Sequence, residues 1–360
     1  MPTPPQTDRP DGLRVAVPRD AEELLSPEWL TAALRTRFPD ITVTAVHPGP
    51  VVSRLSTNIR FRVEYTGDVP EDFTPYLCAK GYFGEVGWLA RRAGEHEVVF
   101  YRDLAARAGV RTLRGVYADI DPETHANVII TEDVIAQGGT FLDGIEDYTP
   151  DQAAESLEQL AVMHAAMWQD PAIAADDSLA SRLDTHLMAR GLKEISKNFD
   201  SELGAVVPEQ ARDAQRLVDA YRALATAAKT AAPWTLLHGD THLGNVFLDG
   251  AGRPSFTDWQ LAQRGPWYLD VGYHIAATIS VADRRRTERD LLRHYLDRLR
   301  AGGVDAPAFD QAWLDIRQGM VHGFFLWGIT LLVKPATIAA RLERLGTAVA
   351  DHDAFTSVEA

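Results

Sequence analysis

Residues 238–260 read HGDTHLGNVFLDGAGRPSFTDWQ, and this stretch decides the fold. Asn245-Val-Phe-Leu-Asp249 and Pro254-Ser-Phe-Thr-Asp258 are short apolar runs on either side of Gly250-Ala-Gly252-Arg253. Two such runs around a Gly-bearing turn predict a β-hairpin. Antiparallel pairing then sets Asn245, at the start of the first strand, beside Asp258, at the end of the second. An amide oxygen and a carboxylate oxygen at one point are hard ligands that suit Mg2+ bound between protein and phosphates. Asp240 stands one loop upstream, the sole carboxylate between His238 and Asn245.

The spacing H-x-D-x-x-x-x-N from His238 to Asn245 resembles the catalytic loop of protein kinases. There the Asp accepts the substrate hydroxyl proton and the Asn holds Mg2+. Gly239 stands where those kinases carry Arg. More closely, the stretch resembles the aminoglycoside phosphotransferase family, within the wider protein-kinase-like fold. Its Asp258-Trp259-Gln260 ending, in place of Asp-Phe-Gly, is similar to the ecdysteroid-kinase-like (CHK-type) branch. Trp267-Tyr-Leu-Asp270-Val-Gly-Tyr273 resembles the aspartate-bearing segment that follows the metal loop in these small-molecule kinases.

The upstream half bears the same comparison. Ile59-Arg-Phe-Arg-Val-Glu-Tyr65 alternates apolar and polar residues with period two, as a half-buried strand does. Gly49–Asn58 occupies the place of a phosphate-covering loop. It lacks G-x-G-x-x-G, and offers backbone N–H groups and the hydroxyls of Ser56 and Thr57 instead. Tyr76-Leu-Cys-Ala-Lys80 is a short strand ending in the lysine that the resemblance assigns to the α/β-phosphates of ATP. The following helical stretch supplies Glu97 as its ion-pair partner, with Glu95 the rival. Strands near Gly115–Ala118 and Asn127–Thr131 lead into Glu132-Asp133-Val134, which resembles the hinge whose backbone binds adenine. The resemblance spans roughly residues 40–275.

Composition narrows the partners. The chain has 360 residues and a formal net charge of −15, which disfavours nucleic acid or an anionic membrane as the main partner. A nucleotide site must therefore draw positive charge locally, from Lys80, Mg2+ and backbone amides. The lone cysteine, Cys78, sits inside an apolar strand and reads as a structural thiol. Residues 1–20 carry no apolar segment of the kind that opens a signal peptide. Gly319–Val333 is too short for an ordinary membrane span and reads as a buried helix. A cytoplasmic location, with no membrane span, is the expectation.

The organisation expected is α+β and two-lobed. A mobile Pro-rich stretch, 1–20, precedes an N-terminal nucleotide-binding lobe, 21–136, built on an antiparallel sheet. A mainly helical C-terminal lobe, 137–360, would hold the catalytic loop and substrate pocket. Ser26-Pro27 should open a helix to about Phe38, and Thr149-Pro-Asp-Gln152 reads as a capping box. Gln137–Gly144 reads as a linker. Helices are expected near 180–199, 209–230, 284–300, 308–333 and 335–350, Gly302-Gly303 ending one of them.

The resemblance implies an ATP-dependent O-phosphotransferase acting on a small hydroxylated molecule in a cleft between the lobes. It assigns Asp240 as base, Asn245 and Asp258 to Mg2+, and Lys80, Glu97, Ser56, Thr57, Glu132 and Val134 to the nucleotide. No extended segment for a peptide follows Asp258. Asp270 reads as a loop anchor, and His164, His274 and His322 as core or pocket-wall residues. The acid-free segment Met320–Gly328, with Trp259, Trp267 and Tyr268, suggests aromatic pocket walls and a neutral lipophilic alcohol as acceptor, ahead of an aminoglycoside. Two other classes stay open: a catalytically silent nucleotide-binding regulator, and a metallohydrolase built on His238, Asp240, His242 and Asp258.

Overall fold

The computed structural model describes residues 15–359. The chain divides into two compact units, one of Met1–Arg107, Thr112–Thr140 and Asp249–Ala251, the other of Ala108–Arg111, Phe141–Leu248 and Gly252–Ala360. The expected α+β class is the one found, with an antiparallel sheet early in the chain and mostly helices later.

The first unit is built on five strands: β1 (Thr42–Ser53), β2 (Thr57–Thr66), β3 (Tyr76–Gly81), β4 (Gly115–Ile120) and β5 (Asn127–Glu132). They are antiparallel in the order β1-β2-β3-β5-β4. Period-two alternation in β2 sends Ile59, Phe61 and Val63 to the buried side. Helix α1 (Pro27–Arg35) covers that side with Trp29, Leu30, Ala33 and Leu34. Ser26 caps it, its Oγ accepting from Trp29 N at 3.2 Å, with Pro27 at the first helical position.

Residues 1–14 of the stretch expected to be mobile lie outside the described residues. Its last part is tied down: Val15 and Val17 pack against this core, and Trp29 Nε1 donates to Ala16 O at 2.7 Å. The expected phosphate loop, Gly49–Asn58, is largely strand. β1 continues to Ser53, Val51 and Val52 pairing with Ile59 and Asn58, so the turn is confined to residues 54–56. β1 is an edge strand, where Pro48 and Pro50 are tolerated.

In the second unit Thr149 opens α2 (Pro150–Ala166) with the expected capping box. There follow α3 (Ala214–Ala228), β6 (Thr235–Leu237), the hairpin β7 (Val246–Leu248) and β8 (Pro254–Phe256), and β9 (Gln263–Gly265). Helices α4 (Tyr268–Thr278), α5 (Val281–Ala301), α6 (Phe309–Gly328) and α7 (Pro335–Asp351) follow, with a last short turn of helix at Thr356–Glu359. Three expectations need correction. The helix expected over 180–199 is two, Leu183–Ala189 and Leu192–Phe199, because Arg190 is extended between them. The helix expected to reach residue 333 stops at Gly328, where Asn198 Nδ2 donates to the carbonyls of Gly328 (2.8 Å) and Thr330 (2.9 Å) and satisfies its open end. The expected linker 137–144 contains a two-residue strand, Thr140–Phe141.

Helices α4 and α6 cross at two glycines. A Cβ on Gly319 would lie 2.1 Å from Tyr268 O and 2.9 Å from Gly272 Cα; one on Gly272 would lie 2.0 Å from Ile316 O. Neither backbone can yield without parting the helices. Gly319→Ala is expected to destabilise the protein by about 1–3 kcal/mol or more, the usual cost of overpacking. A urea unfolding midpoint equal to that of the parent would refute this close contact. Among the described residues no helix is long and apolar enough to cross a membrane.

Candidate active site

Lys80 sits near the end of β3, where Ala79 and Leu77 face the core and hold the strand. Its Nζ lies 2.5 Å from Glu97 Oε2, with both side chains largely buried. Glu97 belongs to the short helix Glu95–Val99. The rival Glu95 is engaged elsewhere, at 3.1 Å from His125 Nδ1. A buried ammonium requires a close counter-charge, and Glu97 supplies it. Asn58 and Thr57 pair with Lys80 and Gly81, so the β1–β2 turn with Ser56 lies at the Lys80 end of the sheet. Ser56 O accepts from Arg54 N at 2.9 Å, and Thr57 Oγ1 lies 3.1 Å from Ser53 Oγ.

Glu132 ends β5 and is held by Arg114 (3.2 Å) and Gln137 Nε2 (2.8 Å). Val134 O accepts from the N–H groups of Gln137 and Gly139 (3.2 and 2.8 Å) and is committed to a turn. Asp133 shapes that turn, taking N–H groups from Ile135 and Ala136 and pairing with Arg60 Nε at 2.7 Å. Cys78 is partly buried, and burial pushes its thiol up to about 12. It is no nucleophile at neutral pH.

In the second unit the hairpin forms as the sequence predicts: Val246 pairs with Phe256, and Thr257 N donates to Asn245 O at 2.9 Å. Asp258 therefore follows the residue bonded to Asn245. It adopts a left-handed backbone, φ 62° and ψ 72°, a region that Asp tolerates better than most residues. Asn245 Nδ2 donates to Asp240 O (2.9 Å) and Asp240 Oδ2 (3.0 Å). With its amino end so committed, Oδ1 is the end left to face a cation. An amide oxygen beside a carboxylate is a donor set that fits Mg2+.

The loop between β6 and β7 hangs from Asp270 on α4. Its Oδ2 accepts from His238 N (2.7 Å), its Oδ1 from Gly239 N (2.9 Å), and its carbonyl from Thr241 Oγ1 (2.9 Å). His164 Nε2 adds a contact at 3.3 Å. Burial pushes the Asp270 carboxyl up, but His164 and the backbone donors outweigh it and hold its pKa below the ordinary value. Gly239 has φ +82°, and a Cβ there would lie 2.3 Å from Leu261 O. The Arg of the protein-kinase pattern has no room at this position.

Hydrogen bonds fix the imidazole tautomers. His238 Nδ1 accepts from Asp240 N (3.2 Å), so its Nε2–H donates to Thr257 O (2.9 Å). His242 Nδ1 accepts from Gly244 N (2.9 Å), which turns Nε2–H toward Asp240 Oδ2 at 3.4 Å. With both nitrogens of His238 and one of His242 spent on backbone, the His-x-Asp-x-His set does not assemble a hydrolase metal site. Among the described residues no three His, Cys, Asp or Glu side chains are placed to share a metal. His322 Nε2–H donates to Gly239 O (3.1 Å), and His274 Nδ1–H to Thr241 O (2.7 Å).

Asp240 keeps 25% of its side chain exposed. Burial opposes its ionisation, but His242, His238 and the Tyr273 hydroxyl hold its carboxyl well below the usual range. Tyr273 O–H donates to Asp240 Oδ1 at 2.9 Å, and Trp327 Nε1–H donates to Tyr273 Oη at 2.7 Å. Sequence reading missed this role for both residues. The one signal for Tyr273 is its place three residues after Asp270, on the same helix face.

The aromatic residues expected to wall a lipophilic pocket mostly fill the core. Trp259, Phe324, Phe325, Met320 and Val321 are fully buried, as is nearly all of Trp267. Tyr268 alone of the group is partly exposed, so this aromatic content by itself does not choose the acceptor. Acid should act on the buried histidines. Burial lowers His274 from 6.5 to about 4, so between those values the unfolded chain binds a proton that the folded one does not. Stability then falls as pH drops from 6.5 to 4, by about 3 kcal/mol from this ring alone. Urea midpoints measured across that window should show the slope, and His274→Asn should flatten it.

A sheet unit with a buried Lys–Glu pair and a helical unit with an Asp-bearing loop before an Asn/Asp hairpin define a kinase-like α+β protein. Residues 85–309 match the phosphotransferase enzyme family, and the chain belongs to that family of small-molecule kinases. The matched span holds Glu97, Asp240, Asn245 and Asp258; Lys80 precedes it. No protein of curated function matches the sequence. Solved structures with partial likeness include the GDP complex of wild-type aminoglycoside 2'-phosphotransferase-IIIa, at 15% identity over 91% of this chain and 99% of that one, with a TM-score of 0.47. An ethanolamine kinase from Plasmodium vivax is 12% identical over 84% and 82%, with a TM-score of 0.48. A choline kinase from Streptococcus pneumoniae is 13% identical over 86% and 94%, with a TM-score of 0.44.

Proposed function

We propose that the protein transfers the γ-phosphoryl group of ATP to a hydroxyl of a small molecule. The observation that carries this reading is the loop-and-hairpin geometry. Asp240 is partly exposed, ionised and oriented; Asn245 commits its amino end to Asp240, and its backbone carbonyl accepts from Thr257, the residue before Asp258. Lys80, held by Glu97, binds the α/β-phosphates. Ser56 and Thr57 lie at the same end of the sheet and approach phosphate. Glu132 and Val134 form the turn against which adenine packs, with one amendment: the Val134 carbonyl is already engaged. Asn245 and Asp258 would hold Mg2+, which would neutralise phosphate charge.

Asp240 accepts a hydrogen bond from the acceptor hydroxyl. As the acceptor O–P bond forms and the bond from phosphorus to ADP breaks, the proton passes to Asp240. Its depressed pKa makes it a weak base, so orientation outweighs proton abstraction, in keeping with a loose transition state. The acceptor is a hydroxylated small molecule. A neutral lipophilic alcohol is the first arm of the test and an aminoglycoside the alternative; the panel decides between them, since most of the aromatic residues that favour the first are buried. Mg2+-dependent ADP release, screened over a panel of these alcohols, tests the reading. ADP formed only with a hydroxylated acceptor supports it. Nucleotide binding without turnover on any of them would point to a silent regulator.

A further inference from the structure

We propose that Tyr273 and Trp327 are positioning residues that clamp Asp240 so that a single lone pair, on Oδ1, is left for the acceptor hydroxyl. The inference rests on the reading of Asp240 as the base and adds residues that the reading does not use. An ionised carboxylate offers about four lone-pair sites. On Oδ2 one is taken by Asn245 Nδ2 at 3.0 Å, and the other faces His242 Nε2–H at 3.4 Å. On Oδ1 one is taken by the Tyr273 hydroxyl at 2.9 Å. The fourth remains.

Tyr273 alone does not fix this arrangement, since a phenol hydrogen can rotate to another acceptor. Trp327 removes that freedom. Indole Nε1–H is a donor only, and it occupies Tyr273 Oη at 2.7 Å, so the phenol hydrogen is directed onward to Asp240. Tyr273 is fully buried and Trp327 nearly so, which shields both bonds from solvent. Burial, then the Asp240 charge, raises the Tyr273 pKa well above its ordinary value, which keeps the phenol a donor throughout the working range.

The far end of the chain is anchored as well. The Arg341 guanidinium lies 5.8 Å from the centroid of the Trp327 ring and is itself held by the carbonyls of Ala277 and Gly144. A cation at an indole face is attracted to the ring. The relay therefore runs from α7 through α6 and α4 to the base. His238, His242, His322, His186, Tyr273 and Arg341 are the ionisable groups that act on Asp240 electrostatically. Only Tyr273 among them combines a hydrogen bond to Oδ1 with full burial.

The test is ADP release for the full-length protein and the variants Tyr273→Phe, Trp327→Phe and Asp240→Asn, on whichever acceptor the panel identifies. Tyr273→Phe is expected to lower kcat by about 10- to 100-fold, the effect of a misplaced reacting group, with the KM for nucleotide unchanged. Trp327→Phe should lower kcat in the same way at smaller size, again with the nucleotide KM unchanged. A structural role alone would lower the urea unfolding midpoint and raise the nucleotide KM along with the loss of kcat, and would not split kcat from KM. If Asp240→Asn abolishes turnover while Tyr273→Phe keeps the parent kcat, positioning is overturned and the base survives. If Asp240→Asn stays active, the base reading fails first. Should Tyr273→Phe not fold, Trp327→Phe decides in its place, since it leaves the phenol intact and removes only its donor.

Discussion

Replacing Asp240 by Asn is expected to lower turnover by about 10²–10⁴-fold, the range of general acid–base assistance, while ATP binding survives. The neighbours make the variant more damaging than the loss of a base alone. Asn Oδ1 can still accept from Tyr273, but its amino group must then meet Asn245 Nδ2 and His242 Nε2–H, both of which donate. Donor facing donor forces either the loop or the side chain to turn. The backbone of the loop should hold, because Asp270 grips it through His238 N and Gly239 N, not through Asp240. Turnover within a few fold of the parent, with nucleotide affinity and melting temperature unchanged, would remove Asp240 from the chemistry.

Asp258→Ala should fail at an earlier step. It deletes a proposed ligand of Mg2+, so the expected result is loss of the metal-dependent part of nucleotide affinity together with turnover, not rescued by excess acceptor. Titrating ATP with and without Mg2+ measures that increment, and an increment equal to the parent's would sink the assignment. The left-handed backbone at this position complicates the variant, since Ala is less at ease there than Asp. Asp258→Asn is the better-matched control. It keeps the tolerance for that conformation and removes only the charge.

Most of this arrangement is legible in residues 238–260. The hairpin announces itself through two apolar runs and a Gly-bearing turn, a local signal that tertiary packing has no cause to override. Lys80 and Glu97 are legible for a different reason: the family resemblance implies the pair, and the structure closes it because a buried ammonium needs a near counter-charge. The hinge at Glu132–Val134 is placed by order along the chain, but the engagement of Val134 O depends on a turn closed by Gly139, which no pattern shows. The end of β1 reads as a loop because Gly49–Asn58 stands in the place of the family's phosphate-covering loop; as an edge strand it accommodates Pro48 and Pro50. The aromatic residues of α6 mislead for a related reason. Periodicity reports which residues are apolar, not whether they meet a ligand or another helix. Tyr273 and Trp327 touch across 54 positions of sequence, a separation at which a single chain carries no signal.

The glycine crossing of α4 and α6 has a consequence for anyone altering this protein by directed evolution. α4 supplies Asp270 and Tyr273 to the loop that carries Asp240, and α6 supplies His322 and Trp327. The spacing of those two helices is set by Gly272 and Gly319, so the two glycines act as a gauge block for Asp240, the proposed base. A library that admits side chains at either position is searching misaligned enzymes, whatever it does to the pocket. Diversity belongs at exposed positions such as Met188 and Leu192, and not at their neighbours His186 and Asn198, which act on Asp240 and hold the end of α6.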